Sequence, residues 1–228
     1  MITLVTFSDK RYRSQQELIH KSVPQTDDWT HLNLTNEDWL ERTEFYKENK
    51  HILGQSRGAG YWLWKPYLLY QIAKDASDGD IFLYMDCGDS INDYGAVSKY
   101  LKSVLAEDRE FLGLMGCFPQ SMYTKRDCFI GMDCDTQYYW GFTQIEAGVI
   151  AFKNTPWVRS KILAQWLTYA LNQYLLTDLP NIYGKENLPD FKDHRHDQSI
   201  LTNILASDNS GRSLVDNGLR QWINCNAV

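Results

Sequence analysis

Cysteine is scarce and oddly spaced. The five residues Cys87, Cys117, Cys128, Cys134 and Cys225 form no C-x-x-C pair, which argues against a zinc motif and a disulfide framework. A reducing compartment is the simplest fit. Positive charge is in deficit too: 23 Lys and Arg stand against 29 Asp and Glu, a net charge of −6. A nucleic-acid binder would usually carry a basic field, so nucleic acid is not an expected partner. Long apolar runs are missing. The opening Ile2 to Phe7 is too short for a signal peptide, and no run approaches a membrane span. A cytoplasmic chain without a transmembrane segment is the expectation. There is no internal repeat and no low-complexity tract.

What is present is a globular composition over 228 residues, with 43% hydrophobic and 23% charged. That suits one large domain with a real core. Aromatic residues are abundant, with 8 Trp and 14 Tyr. Rings in such number either fill a core or stack flat ligands such as sugars and bases.

The chain is organised around Asp80-Ile81-Phe82-Leu83-Tyr84-Met85-Asp86-Cys87-Gly88-Asp89-Ser90. A short apolar run between turn residues reads as a fully buried strand of a parallel sheet. Ligands of open α/β sheets bind beyond the carboxyl ends of the strands, where Asp86 and Asp89 fall. Two carboxylates beside a glycine suit a hard divalent cation. They equally suit an ordinary strand-end turn.

A first strand is predicted over Met1 to Phe7, followed by the polar loop Ser8-Asp9-Lys10-Arg11-Tyr12 in the ligand crevice. Thr6, Ser8 and Arg11 are candidate ligand contacts there. Ser14, with Glu17 three residues on, predicts a capped helix to about Lys21. A short strand is expected at His31-Leu32-Asn33-Leu34, then a helix from Thr35 or Asn36 through Tyr46 to Asn49. The glycine-rich stretch Gly54 to Tyr67 holds Arg57 and Lys65, which could meet a diphosphate. A structural loop pinned by buried tryptophans is the equal alternative. Pro66 opens a helix over Tyr67 to Lys74.

After the central strand, a helix is predicted from Tyr94 to Glu107 and a buried strand from Phe111 to Cys117. Residues 118–140 read as a substrate-facing lid or pocket wall without regular structure, bearing Lys125 and Arg126. Gln144 to Lys153 reads as a strand entered by Glu146-Ala147-Gly148. Pro156 to Leu176 is predicted as one long helix with a core stripe. Residues 177–192 form a connector. Asp193-His194-Arg195-His196-Asp197-Gln198 then opens a last helix to about Ala206, dense enough in titratable groups to contact metal or phosphate. Residues 207–228 are a short polar tail.

The order of these pieces resembles the GT-A glycosyltransferases, over about residues 1–206. Ile81 to Gly88 is similar to that family's apolar strand and Asp-x-Asp motif, Glu146-Ala147-Gly148-Val149 to the strand lining the donor sugar, and Asp197-Gln198 to an Asp-Gln pair near sugar and metal. The resemblance is to small stand-alone transferases of bacteria and large DNA viruses. It implies an α/β, Rossmann-related fold with a mostly parallel central sheet flanked by helices in a single domain. A nucleotide-binding half would span about 1–90 and an acceptor-side half about 91–206.

The implied activity is transfer of a sugar from a nucleotide-diphosphate sugar to a hydroxyl of a glycan or other acceptor, assisted by Mn2+ or Mg2+. The implied donor contacts are Thr6, Ser8, Arg11, Arg57, Lys65, Asp86 and Gln198. The metal ligands would come from Asp86, Asp89 and His196. Asp197 and Glu146 are the candidate catalytic carboxylates, and Lys125, Arg126 and Gln144 the acceptor-side contacts. One departure stands out: position 88 is Gly where the motif carries its second Asp, so either Asp89 substitutes, or Asp86 and His196 carry the metal with the diphosphate, or metal dependence is weak. A metal-dependent phosphohydrolase and a non-catalytic sugar- or nucleotide-binding module are the alternatives.

Overall fold

A computed structural model describes residues 1–106 and 108–225. Six strands form one sheet in the order β2-β1-β3-β6-β5-β7. They are β1 (Ile2–Ser8), β2 (Trp29–Thr35), β3 (Ile81–Met85), β5 (Phe111–Pro119), β6 (Thr143–Lys153) and β7 (Ser213–Asp216). Pairings β1/β2, β1/β3 and β5/β7 are parallel. β6 runs antiparallel to both β3 and β5, so it alone opposes the other strands. The expected mostly parallel α/β sheet is present. A second, two-stranded sheet joins β4 (Ser90–Ile91) to β8 (Ile223–Asn224), and ties the tail to the segment just after Asp89.

The sheet is buried on both faces, which is why β3 reads as a continuous apolar run. Phe82 and Tyr84 enter one core with Val5, Phe7, Ile150 and Phe152, beneath helices Trp64–Asp75, Ala164–Ala170 and His196–Ala206. Leu83 and Met85 enter the other with Ile2, Leu4, Val149 and Ala151, beneath helices Arg13–Ser22 and Tyr94–Val104. Among the described residues no helix is long and apolar enough to cross a membrane.

Several local expectations are corrected. Ser14 does not cap its helix: Tyr12 holds the cap position, and the Ser14 hydroxyl donates to Gln15 Oε1 at 2.8 Å. The helix expected over 36–49 is broken, because Thr43 Oγ1 accepts from Tyr46 N at 3.1 Å and starts a separate helix, Glu44–Glu48. The helix after Pro66 begins earlier, at Trp64. The helix from Tyr94 ends at Val104, and its expected last residue, Glu107, lies outside the described residues. The tail's last three residues, 226–228, lie outside them as well. Segment 118–140 is not irregular: it folds into helices Gln120–Tyr123, Arg126–Gly131 and Gln137–Gly141. The helix from Pro156 runs unbroken to Ala170, π-helical over Val158–Leu163, but stops there; Gln173–Leu176 is a separate piece capped by Asn172. The last helix runs from His196 to Ala206, as expected.

Candidate active site

β3 ends at Met85, and the chain turns at once. Asp89 N–H donates to Asp86 O at 3.0 Å, while Asp86 N–H donates to Gly148 O at 2.8 Å. The second bond fastens the acidic turn to β6 where that strand leaves β5. Gly113 faces Ile150 but Leu114 faces Glu146, so residues 147–149 loop out of the β5 register. Gly148 sits at the apex of this bulge. A Cβ there would lie 3.1 Å from Asp86 Oδ2 and 3.6 Å from Asp89 Oδ2. The two carboxylates therefore converge over a residue that has no side chain.

Lys65 enters from the first turn of helix Trp64–Asp75 and is only 2% exposed. Its Nζ donates to Ala147 O at 2.9 Å and lies 3.3 Å from Asp86 Oδ1 and 3.7 Å from Asp197 Oδ2. The Tyr84 hydroxyl also donates to Asp86 Oδ1. Tyr84 precedes Asp86 by two positions, and burial, then the Asp86 charge, raise its phenol far above the ordinary value. Asp197 is 3% exposed, and its Oδ2 has no hydrogen-bond partner. Burial raises the Asp197 carboxyl to about 7; Lys65 opposes that rise and Asp86 reinforces it. A buried orphan oxygen is costly and calls for a functional explanation. Beside them, burial and the carboxylates of Asp86, Asp89 and Asp9 push the Cys87 thiol up to about 12. It therefore stays protonated and unreactive at neutral pH.

The other expected site residues divide sharply. Gln198 Oε1 accepts from Ala147 N at 3.2 Å, and its Nε2 donates to Gln144 Oε1 at 2.9 Å. Gln144 is buried and donates to Tyr123 O and Ser199 Oγ, so it braces Gln198 within the core. Glu146 is held by Arg220, with Oε1 2.6 Å from Nη2. Arg220 also donates to Met115 O at 3.0 Å. Thr6 and Ser8 are buried and engaged by Gln16, at 3.1 and 2.7 Å. Arg11 is exposed and paired with Asp9 at 2.6 Å. Lys125 is buried, and its Nζ donates to Thr177 O and Leu179 O. Arg126 Nε lies 2.6 Å from Asp135, beneath the Trp140 ring.

His196 departs furthest from expectation. Its Nε2 accepts from Arg57 Nε at 2.7 Å, and Nδ1 bonds Leu176 O at 2.7 Å. Both ring nitrogens are used by the protein, so the expected third ligand does not join the acidic pair. Burial is the main cause that lowers its pKa. Arg57 in turn donates to Asp193 at 2.7 Å. Gly58, Ala59, Gly60, Tyr61 and Trp62 all have left-handed φ, from +50° to +95°, and His196 has +52°. Side-chain-bearing residues adopt that conformation at a cost of about 1–2 kcal/mol each. Such strain gathers at functional sites.

Sequence reasoning missed Tyr84 and Arg220. The period of two in a strand could have found Tyr84, since it shares a face with Asp86. Arg220 reaches Glu146 across tertiary structure, with no local signal. Among the described residues, no group of three or more His, Cys, Asp or Glu side chains is arranged to hold a metal ion.

No protein-family model matches the chain, and no curated sequence does. Solved structures do. The bifunctional glycosyltransferase WbbM superposes with a TM-score of 0.52 at 12% identity, over 94% of this chain and 38% of that one. Mouse xyloside xylosyltransferase 1 gives 0.53 at 9% identity, over 94% and 85%. The galactosyltransferase LgtC, solved with donor and acceptor sugar analogues, gives 0.50 at 16% identity, over 93% and 72%. This chain thus spans well under half of the WbbM chain. The fold is GT-A. In that frame Asp86 and Asp89 stand at the carboxyl end of the GT-A sheet's β3, beside its reversed strand β6.

Proposed function

We propose that this protein is a glycosyltransferase that moves a sugar from a nucleotide-diphosphate sugar to an acceptor hydroxyl with a divalent cation. The observation that carries the reading is the convergence of Asp86 and Asp89 over Gly148, with Lys65 and the orphan Asp197 oxygen beside them. The likeness in fold to glycosyltransferases supports it.

The donor set fits Mn2+ or Mg2+. Asp86 Oδ2 and Asp89 supply hard oxygen donors, and such cations are commonly bound by one or two carboxylates together with substrate phosphates. A bound cation would supply Lewis-acid stabilisation of the charge that develops on the departing diphosphate. The protein's own groups do the rest. Lys65 holds Asp86 through Oδ1, which leaves Oδ2 turned to the Gly148 gap, and adds a buried, fixed positive charge beside it. Asp197 is the better proton acceptor of the two candidate carboxylates. Its value of about 7 is matched to neutral pH, and its Oδ2 makes no hydrogen bond and only a 3.7 Å ion pair with Lys65, whereas Arg220 holds Glu146 at 2.6 Å. Gln198 fixes the β6 bulge through Ala147 N and so sets the floor of the site.

The test is thermal stability against nucleoside diphosphates and nucleotide sugars, with and without manganese. A ligand that binds only the folded chain raises the melting temperature. We expect one nucleotide to give a shift that manganese enlarges and that Asp86→Asn abolishes, followed by sugar transfer or slow donor hydrolysis for the matching nucleotide sugar. No shift with any nucleotide would sink the reading. A shift without turnover would favour the binding module.

A further inference from the structure

We propose that the cleft enclosed by residues 178–194 beside Lys125 is the acceptor subsite, and that it takes a neutral saccharide. The inference rests on the transferase reading and gives its acceptor a place and a chemical class.

The first observation is the connector itself. Residues 178–193 carry no helix or strand, a length at which loops inside compact domains are usually functional. Yet the loop is held along its course. Lys125 Nζ donates to Leu179 O, Asp127 accepts from Ile182 N at 2.6 Å and Tyr183 N at 3.2 Å, and Lys192 N donates to Met122 O at 2.8 Å. An irregular segment fixed by so many buried partners is a built surface.

The second observation is the cleft it encloses, about 400 Å3, whose lining includes Asp178, Asn181, Glu186, Phe191, Lys192 and Asp193. That volume suits a small ligand. Asn181 Oδ1 is buried and has no hydrogen-bond partner, although the amide nitrogen of the same side chain bonds Lys185 O and Asn187 Oδ1. Opposite charges (Glu186, Lys192) together with an aromatic ring (Phe191) make the lining neither strongly cationic nor purely apolar. Hydroxyls can meet the polar groups while the apolar face of a sugar ring meets Phe191.

The third observation is location. Asp178 and Asp193, on the cleft wall, lie 3.6 and 2.7 Å from Arg57, and Arg57 bonds His196, the residue before Asp197. One side chain thus separates this wall from the helix start that carries the proposed proton acceptor.

The experiment is a titration of the 15N-labelled protein with glucose, galactose, mannose and N-acetylglucosamine at millimolar concentration, read by amide chemical shifts, in the presence of the bound nucleoside diphosphate and manganese. At least one sugar is expected to move amides of 178–193 preferentially. Phe191→Ala should weaken that response by up to about tenfold, the loss of one ring contact. E186Q should weaken it less, and both variants should keep wild-type nucleotide affinity. Shifts centred elsewhere, or none with all four sugars, would overturn the assignment. Loss of nucleotide binding by the wild-type chain would instead strike the transferase reading, and the sugar titration, run then without nucleotide, would still decide whether the cleft binds saccharide.

Discussion

Replacing Asp197 by Asn should make the protein more stable, and more so as the pH rises. The carboxyl has an ordinary value of 3.8 and sits at about 7 in the folded chain, chiefly because burial penalises its charge. The folded state therefore holds a proton that the unfolded state has lost between about pH 4 and pH 7. Stability falls as pH rises whenever the folded state binds more protons. Across that span, at about 1.36 kcal/mol per unit, ionised Asp197 costs the fold at most about 4 kcal/mol. Asparagine keeps the shape without the charge but deprives Lys65 of one of its two carboxylate partners. We expect a net gain of about 2 kcal/mol at about pH 8.5, and almost none at about pH 5. Wild type alone would not show this cleanly. Burial, the leading cause, lowers the pKa of His31 (to about 4), His194 and His196. Those groups work in the opposite sense, because their stability is lost as pH falls below about 6.5. The difference between variant and wild type cancels them. The assay is urea unfolding of both proteins at the two pH values, with a chelator present. A variant that is destabilised at high pH, or a difference that does not grow with pH, would refute the argument.

Three further outcomes follow from the same geometry. Lys65→Met removes the buried cation between Asp86 and Asp197 and should cost about 3–5 kcal/mol at high pH, less in combination with Asp197→Asn; urea unfolding that places it within about 0.5 kcal/mol of wild type would contradict the charge arrangement. Gly148→Ala should fold normally but bind manganese at least about tenfold more weakly, because the new methyl would stand 3.1 Å from Asp86 Oδ2; unchanged affinity by calorimetry would count against the acidic pair as the metal holder. Ala59→Gly should stabilise the chain by up to about 1 kcal/mol, the reverse of its effect in a right-handed helix, since φ there is +50°; a destabilisation of that size in urea would contradict the left-handed run.

The sheet was legible because burial on both faces leaves a continuous apolar run, and Ile81 to Tyr84 is such a run. The place of the acidic turn was legible too, since Asp86 and Asp89 follow directly on a readable strand. Helix boundaries were not, because single caps decided them: Thr43 and Asn172 each start a helix inside a stretch whose apolar spacing continues past them. The left-handed turn 58–62 could not be foreseen, because Ala59, Tyr61 and Trp62 are residues that normally avoid it. Lys125, Gln144 and His196 illustrate the remaining limit. A polar residue in a suggestive place can be spent on the protein's own backbone and amides, and only the fold reveals which groups remain open.

Gly88 offers the sharpest case. In an extended segment, residues two apart share a face, so an Asp-x-Asp spacing would bring two carboxylates together. Here the segment turns: the Asp89 N–H to Asp86 O bond closes a four-residue loop whose middle is Cys87 and Gly88. Cys87 points back into the protein, with Sγ 3.2 Å from Phe7 O. Closing the loop brings the first and fourth residues together, and Asp89 thereby reaches the space over Gly148 that residue 88 does not. A Cβ on Gly88 would meet nothing within 4 Å, neither the Asp86 carboxylate nor Gly148. Asp89→Ala should therefore lose the manganese-dependent nucleotide shift while folding normally. Adding Gly88→Asp, which restores the Asp-x-Asp spacing, should not bring it back. Rescue by that second substitution would mean that the spacing, and not the turn, sets the position of the second carboxylate.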